Sequence, residues 1–187
     1  MSDVWDSWAE LTRFLESARL AFARERNLWQ SLELADPDQA SIRVRSGGGW
    51  YKARLDQHVD AVNDEITLYA SVLIHSYALM ESAAAEALSM NRVKGGVSGW
   101  GRLLLNKTSS SWDDVRDGEA GAVEVAVVRH AFAHGTREID SDAVKQLADV
   151  GAPAREVGDA VTLTYSELLA YRGRMASLLN TSGLARS

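Results

Sequence analysis

Arg129, His130 and His134 stand within six residues of one another in the segment Val127-Val128-Arg129-His130-Ala131-Phe132-Ala133-His134-Gly135. Valines and alanines from 125 to 128 put the start of this segment in a packed helix, and burying ionisable groups there is costly unless they are paired or face a cleft. Such a cluster at the end of an apolar helix is a candidate site. Five helical positions advance about 7.5 Å and turn about 500°, which leaves Arg129 and His134 roughly 140° apart, whereas His130 and His134, four apart, share a face. That pair has the spacing of helical zinc ligands. The glutamate that zinc hydrolases place beside the first histidine is missing, and no third ligand stands out, so no metal is expected. A bland reading also stands: Arg129 snorkels to solvent, and His134 is a helix C-terminal residue favoured by the macrodipole.

The elements that must position these residues read as helices. Val4, Trp8, Leu11, Leu15, Ala18 and Phe22 step by three or four, which predicts a helix from Val4 to Trp29 with Asp3 as N-cap. A loop is expected through Asp36-Pro37-Asp38, and a flexible stretch at Ser46-Gly47-Gly48-Gly49. Between them Ile42-Arg43-Val44-Arg45 alternates like a short strand or is coil. The longest helix is predicted from Leu55 to Met90, with Ile66, Tyr69, Leu73, Tyr77, Met80, Ala84 and Leu88 as its stripe. A shorter helix fits Ser98 to Leu105, and Lys107 to Trp112 reads as a serine-rich loop. Gly118 to His134 makes the next helix, which Gly135 stops. Ser141 to Asp149 is a short helix broken at Gly151-Ala152-Pro153, and Val161-Thr162-Leu163 is ambiguous. The last helix starts near Thr164, capped by the box with Glu167, and runs to about Asn180. This pattern predicts an all-α fold, an antiparallel bundle of four to five helices in a single domain over 1–187.

Composition narrows the function classes. The chain has 187 residues and no cysteine, so disulfides and thiolate metal sites are out. Its formal net charge is −6, which argues against a protein that packages duplex DNA through its phosphates but leaves room for a local RNA-binding patch. The apolar run from Tyr69 to Met80 is broken by Ser71, His75 and Ser76 and is too short to span a bilayer. With an acidic N-terminus unlike a signal peptide, a cytoplasmic protein without a membrane segment is expected.

Arg129, His130 and His134 together resemble the signature of the HEPN superfamily: an Arg, a polar residue, three further residues and a His. His130 stands where Asn is more common. Gly135, the Trp112-Asp113-Asp114 segment and Ala78-Leu79-Met80-Glu81-Ser82 also look like that family, and the likeness covers roughly Ile66 to Gly135. The resemblance implies a metal-independent endoribonuclease of toxin or defence type, a homodimer that pairs two motifs across its interface and needs no cofactor. In that scheme the RNA 2′-hydroxyl is the nucleophile and a 2′,3′-cyclic phosphate end is left. His134 moves a proton, Arg129 holds the phosphate and stabilises the transition state, and His130 orients the pair or the phosphate. An antitoxin or regulatory protein is a possible partner, although Thr136 replaces the Tyr found two positions after the motif His in toxins silenced by nucleotidyltransferases. The alternative within the family is a non-catalytic module for dimerisation or for binding a nucleotide or partner protein. Outside the family, a purely structural helical adaptor is a further reading.

Secondary candidates flank this motif. Glu81, on or beside the apolar stripe, either orients Arg129 or His134 or is a surface residue at the helix edge. Arg43, Arg45, Lys52 and Arg54 surround the glycine run together with Trp50 and Tyr51, a mixture that guides single-stranded RNA or is a solvated loop. His75 is expected to be structural with a hydrogen-bond partner, and His58 to be exposed.

Overall fold

The apolar stripe read at the N-terminus forms helix α1, Val4–Gln30, and each of its six stripe residues is buried or half-buried. In the computed structural model, residues 4–32 and 39–184 are described; the expected cap Asp3 and the loop Asp36-Pro37-Asp38 lie outside them. The described residues are mostly helical, with seven α-helices and one hairpin, so the all-α expectation holds except for that hairpin. They divide into two compact units, residues 12–68 and residues 69–187 with 1–11. No helix among them is long and apolar enough to cross a membrane.

In the first unit, β1 (Ser41–Ser46) pairs antiparallel with β2 (Gly49–Arg54). The stretch expected to be flexible is instead a two-residue turn: Gly47 and Gly48 have φ of 51° and 93°, the left-handed pair that a twisted hairpin requires. Helix α2, Leu55–Asn63, follows directly, and the Leu55 N–H donates to Ala40 O at 2.9 Å. The single helix expected from Leu55 to Met90 is broken at Asp64, whose carboxylate accepts from the Thr67 N–H at 3.1 Å and from its hydroxyl at 2.6 Å. Asp64 caps a new helix, α3 (Glu65–Ala87), because its short acceptor competes with the backbone. His58 is not exposed but half-buried, 3.0 Å from Glu25 Oε1 and 3.2 Å from the Tyr51 hydroxyl. The expectation missed it because Tyr51 comes within reach only when the hairpin forms.

In the second unit α5, Gly118–Ala133, is the hub. It touches α4 (Val97–Asn106), α6 (Ser141–Asp149) and α7 (Tyr165–Thr181). Ala122, Val123, Val125, Val127, Val128, Ala131 and Phe132 are all buried, so nearly every side of the helix is covered. Arg174 of α7 binds the start and middle of α5, donating from Nε to Asp117 at 2.7 Å and from Nη1 to Glu124 at 2.7 Å. The Thr164–Glu167 capping box is present at the start of α7. Arg172, 5% exposed, donates from Nη2 to Trp8 O at 3.1 Å and lies over the Trp8 ring, so a carbonyl and a π-face offset part of the cost of burying its charge. A short 3-10 turn, Trp112–Asp114, leads into α5 with its own capping box between Ser111 and Asp114.

Gly101 on α4 makes this packing possible. A Cβ there would lie 2.5 Å from Trp112 Cη2, so the indole rests on bare backbone. Either the rigid indole or the α4 backbone must shift to admit a methyl group, so Gly101→Ala is expected to lower unfolding stability by about 1–3 kcal/mol. Urea titration measures the loss, and a red-shifted tryptophan emission would report the displaced indole; an unchanged midpoint would show that the turn relaxes freely.

Candidate active site

The last turn of α5 carries its ionisable groups to the edge of the core, where the helix can no longer be covered. Val127 and Val128 are buried, Arg129 is half-buried, and His130 is exposed. The His134 N–H still donates to His130 O at 3.1 Å, so His134 is the C-cap residue, and Gly135 adopts the expected left-handed conformation with φ 71°. Behind it the chain is fastened by short contacts: Arg137 N–H donates to Ala131 O, and Glu138 forms an antiparallel bridge with Ala160. The ambiguous 161–163 segment thus forms no strand of its own, although Val161 and Leu163 are buried beside that bridge.

Arg129 is drawn toward α3. Its Nη2 lies 3.8 Å from Glu81 Oε2 and its guanidinium carbon 5.1 Å from the centre of the Tyr77 ring. The separation from Glu81 is too long for a direct hydrogen bond. The Arg129 Nε is buried and finds no hydrogen-bond partner among the described residues. Burial pushes the Glu81 carboxyl above its ordinary range, and the nearby Arg129 charge opposes that shift. Burial also raises the Tyr77 phenol, with the Glu81 charge adding to the rise and Arg129 opposing it.

His130 and His134 meet, as their spacing required: their ring centres are 4.2 Å apart at an interplanar angle of 46°. His130 Nε2 lies 4.0 Å from Asp140 Oδ2. Asp140 is itself fixed, because its other oxygen accepts from the Ala143 N–H at 2.7 Å as the N-cap of α6.

A cleft of about 690 Å³ opens beside this turn. Tyr77, Glu81, Arg129, His130 and Asp140 line it, as do Arg102 and Glu119, themselves paired at 3.3 Å. His134 is not among the lining residues. The structure therefore gathers Glu81, Arg129 and His130 around one cleft and leaves His134 outside its lining, with its ring beside that of His130. Tyr77 and Asp140 were missed as site residues. Tyr77 is four before Glu81 on the same stripe, and Asp140 precedes a short helix, signals that mark a helix face and a cap rather than a site.

The remaining candidates lie elsewhere. Arg43, Arg45, Lys52 and Arg54 are exposed on the hairpin. His75, expected to be structural with a hydrogen-bond partner, is exposed on α3, because it falls off the buried stripe. Among the described residues no three His, Asp or Glu side chains form a group able to hold a metal ion. Comparison of the chain with protein-family models, with curated proteins and with solved structures finds no match.

Glu81 gives the site a pH signature. Its folded carboxyl keeps a proton to higher pH than the unfolded chain does, so its contribution to stability falls as pH rises from the ordinary glutamate range, about 4.3, through the raised folded value. Glu81→Gln removes that step. The unfolding free energy of wild type minus that of the variant is expected to decrease across this window in urea titrations at successive pH values. A flat difference would mean that Arg129 fully offsets the burial of the carboxylate.

Proposed function

We propose that the chain is a metal-independent endoribonuclease of the HEPN type, built around Arg129, His130 and His134 and acting as a homodimer. One observation carries the reading most: a helix buried on nearly all sides ends in three ionisable groups beside a cleft, and two of the three line it. A helix end needed only for packing has no reason to set an arginine and two touching imidazoles beside a cleft.

In the reaction, a histidine takes the proton of the RNA 2′-hydroxyl. The 2′-oxygen attacks the adjacent phosphorus, the P–O5′ bond breaks, and the leaving 5′-oxygen receives a proton. A 2′,3′-cyclic phosphate and a 5′-hydroxyl remain. His134 and His130 are the proton carriers available, and Arg129 stabilises the charge that gathers on the phosphoryl oxygens. Carboxylates outnumber fixed cations around the cleft of one copy: Glu81, Glu119, Asp140, Asp142 and Asp149 against Arg102 and Arg129. A phosphodiester is better received on the histidine rim than deep in the cleft, and a second copy's motif would supply the missing positive charge. That supports the dimeric form of the proposal. Service as a toxin or defence effector, with a regulatory partner, belongs to the same reading.

A second reading is a non-catalytic HEPN module that dimerises or binds a nucleotide or partner. The pairing of Arg129 with Glu81 and Tyr77 favours it, because an arginine so occupied has less to offer a phosphate.

Mixed RNA incubated in excess EDTA with wild type, Arg129→Ala and His134→Ala decides between the readings. The nuclease is expected to leave 2′,3′-cyclic phosphate ends with wild type, to leave none with His134→Ala, and to be slowed about a hundredfold or more by Arg129→Ala. Cleavage unchanged in both variants would place the activity elsewhere. Absence of cleavage by wild type, together with a dimer in light scattering, would favour the non-catalytic module.

A further inference from the structure

The hairpin register places its basic residues on one face. Ser41 pairs with Arg54, Arg43 with Lys52, and Arg45 with Trp50. Directly opposed residues share a face, and so do residues two apart along a strand. Arg43, Arg45, Trp50, Lys52 and Arg54 therefore project from the same side, while Ile42, Val44, Tyr51 and Ala53 take the other. All five are exposed, Trp50 at 60%. From Ser41 to Arg54 there is no acidic residue, in a chain whose net charge is −6. So one-signed a surface runs against the charge of the whole molecule.

We propose that this face of the hairpin is a binding surface for single-stranded nucleic acid, made of residues other than those of the Arg129 cleft and not dependent on the nuclease reading. Its cations sit in rows set by strand geometry, about 7 Å apart along a strand and about 5 Å apart across the pair. An extended polyanion can follow such rows without deforming. The Arg43 guanidinium lies 4.4 Å from the centre of the Trp50 ring, and the ring still keeps most of its surface open to water. A base that stacks there would meet an aromatic plane already backed by a cation, which is how sequence-tolerant single-strand binding works. Duplex offers this surface phosphates but no free base for Trp50, so the single strand is the occupant that uses both the cations and the ring. Arg54 is engaged by Asp56, which leaves Arg43, Arg45 and Lys52 to contact phosphates.

The test uses full-length protein and a fluorescent oligothymidylate, which has no 2′-hydroxyl and so reports binding whether or not the protein cleaves RNA. Three phosphate contacts predict a log–log salt slope of about −2 for a single strand. The double substitution Arg45→Ala with Lys52→Ala is expected to bring the slope to about −0.7, and Trp50→Ala to weaken binding about tenfold. His75→Ala, an exposed position of α3 that belongs to neither site, is expected to bind as wild type does. All the hairpin side chains changed are exposed, and circular dichroism checks that the variants keep their helices. The proposal is overturned if the oligonucleotide fails to bind at low salt or if the hairpin variants bind like wild type. Equal competition by duplex, or tighter binding to phosphatidylserine vesicles than to the oligonucleotide, would also overturn it. Loss of RNA cleavage alone, with oligothymidylate binding intact, would count against the nuclease and leave the hairpin surface standing.

Discussion

Burial of α5 is the constraint on which the second unit turns. A helix covered by α4, α6 and α7 can carry only apolar or paired side chains along its middle, and Val123, Val125, Val127 and Val128 meet that demand. Its one acidic residue in that stretch, Glu124, is accepted because Arg174 and the Tyr171 hydroxyl both bind it. Burial and the Glu124 charge in turn push the Tyr171 phenol up to about 12, so it stays a neutral donor to that carboxylate. Charged groups without such partners are confined to the last turn. The candidate site lies where it does because that is the first place along α5 where an arginine and two histidines are tolerable.

The same logic shows why the candidate site was only partly legible in the sequence. Spacing along one helix fixes which residues share a face, so the contact between His130 and His134 could be read directly. The stop at Gly135 and the capping box of Thr164 and Glu167 are equally local, each resting on residues within one turn. Arg129 and Glu81 are 48 positions apart, and which way the arginine turns depends on how α3 lies against α5, information that periodicity does not carry. Asp140 was legible as a helix start but not as a neighbour of His130. His58 was misread because exposure depends on what packs against a residue, not on its type.

Two departures at the level of the fold have separate causes. Asp64 breaks the long helix although the apolar pattern continues through it, because its carboxylate caps the following turn through Thr67 and so competes with an uninterrupted ladder. The hairpin escaped because four consecutive residues, Ser46 to Gly49, permit several turn centres, and each gives a different register. Only the register with Gly47 and Gly48 at the turn brings Arg43 beside Lys52 and Arg45 beside Trp50. A shift of one residue in one strand would send its basic side chains to the opposite face. The basic residues could be named from sequence, but their union on one surface could not.

Charge distribution joins these points. The cleft beside α5 is lined by more carboxylates than cations, and the strongest run of positive charge lies on the hairpin. An anionic substrate therefore gains little by entering the cleft of a single copy, and Arg129 meets Glu81 there before it meets any phosphate. The Glu81 carboxyl is held above its ordinary range by burial, so part of the negative charge facing Arg129 is removed when it takes up a proton. A phosphate approaching Arg129 would raise that tendency further, since a second anion nearby disfavours the carboxylate. Proton uptake by Glu81 and phosphate capture by Arg129 are thus linked events with the same sign. Lower pH favours both.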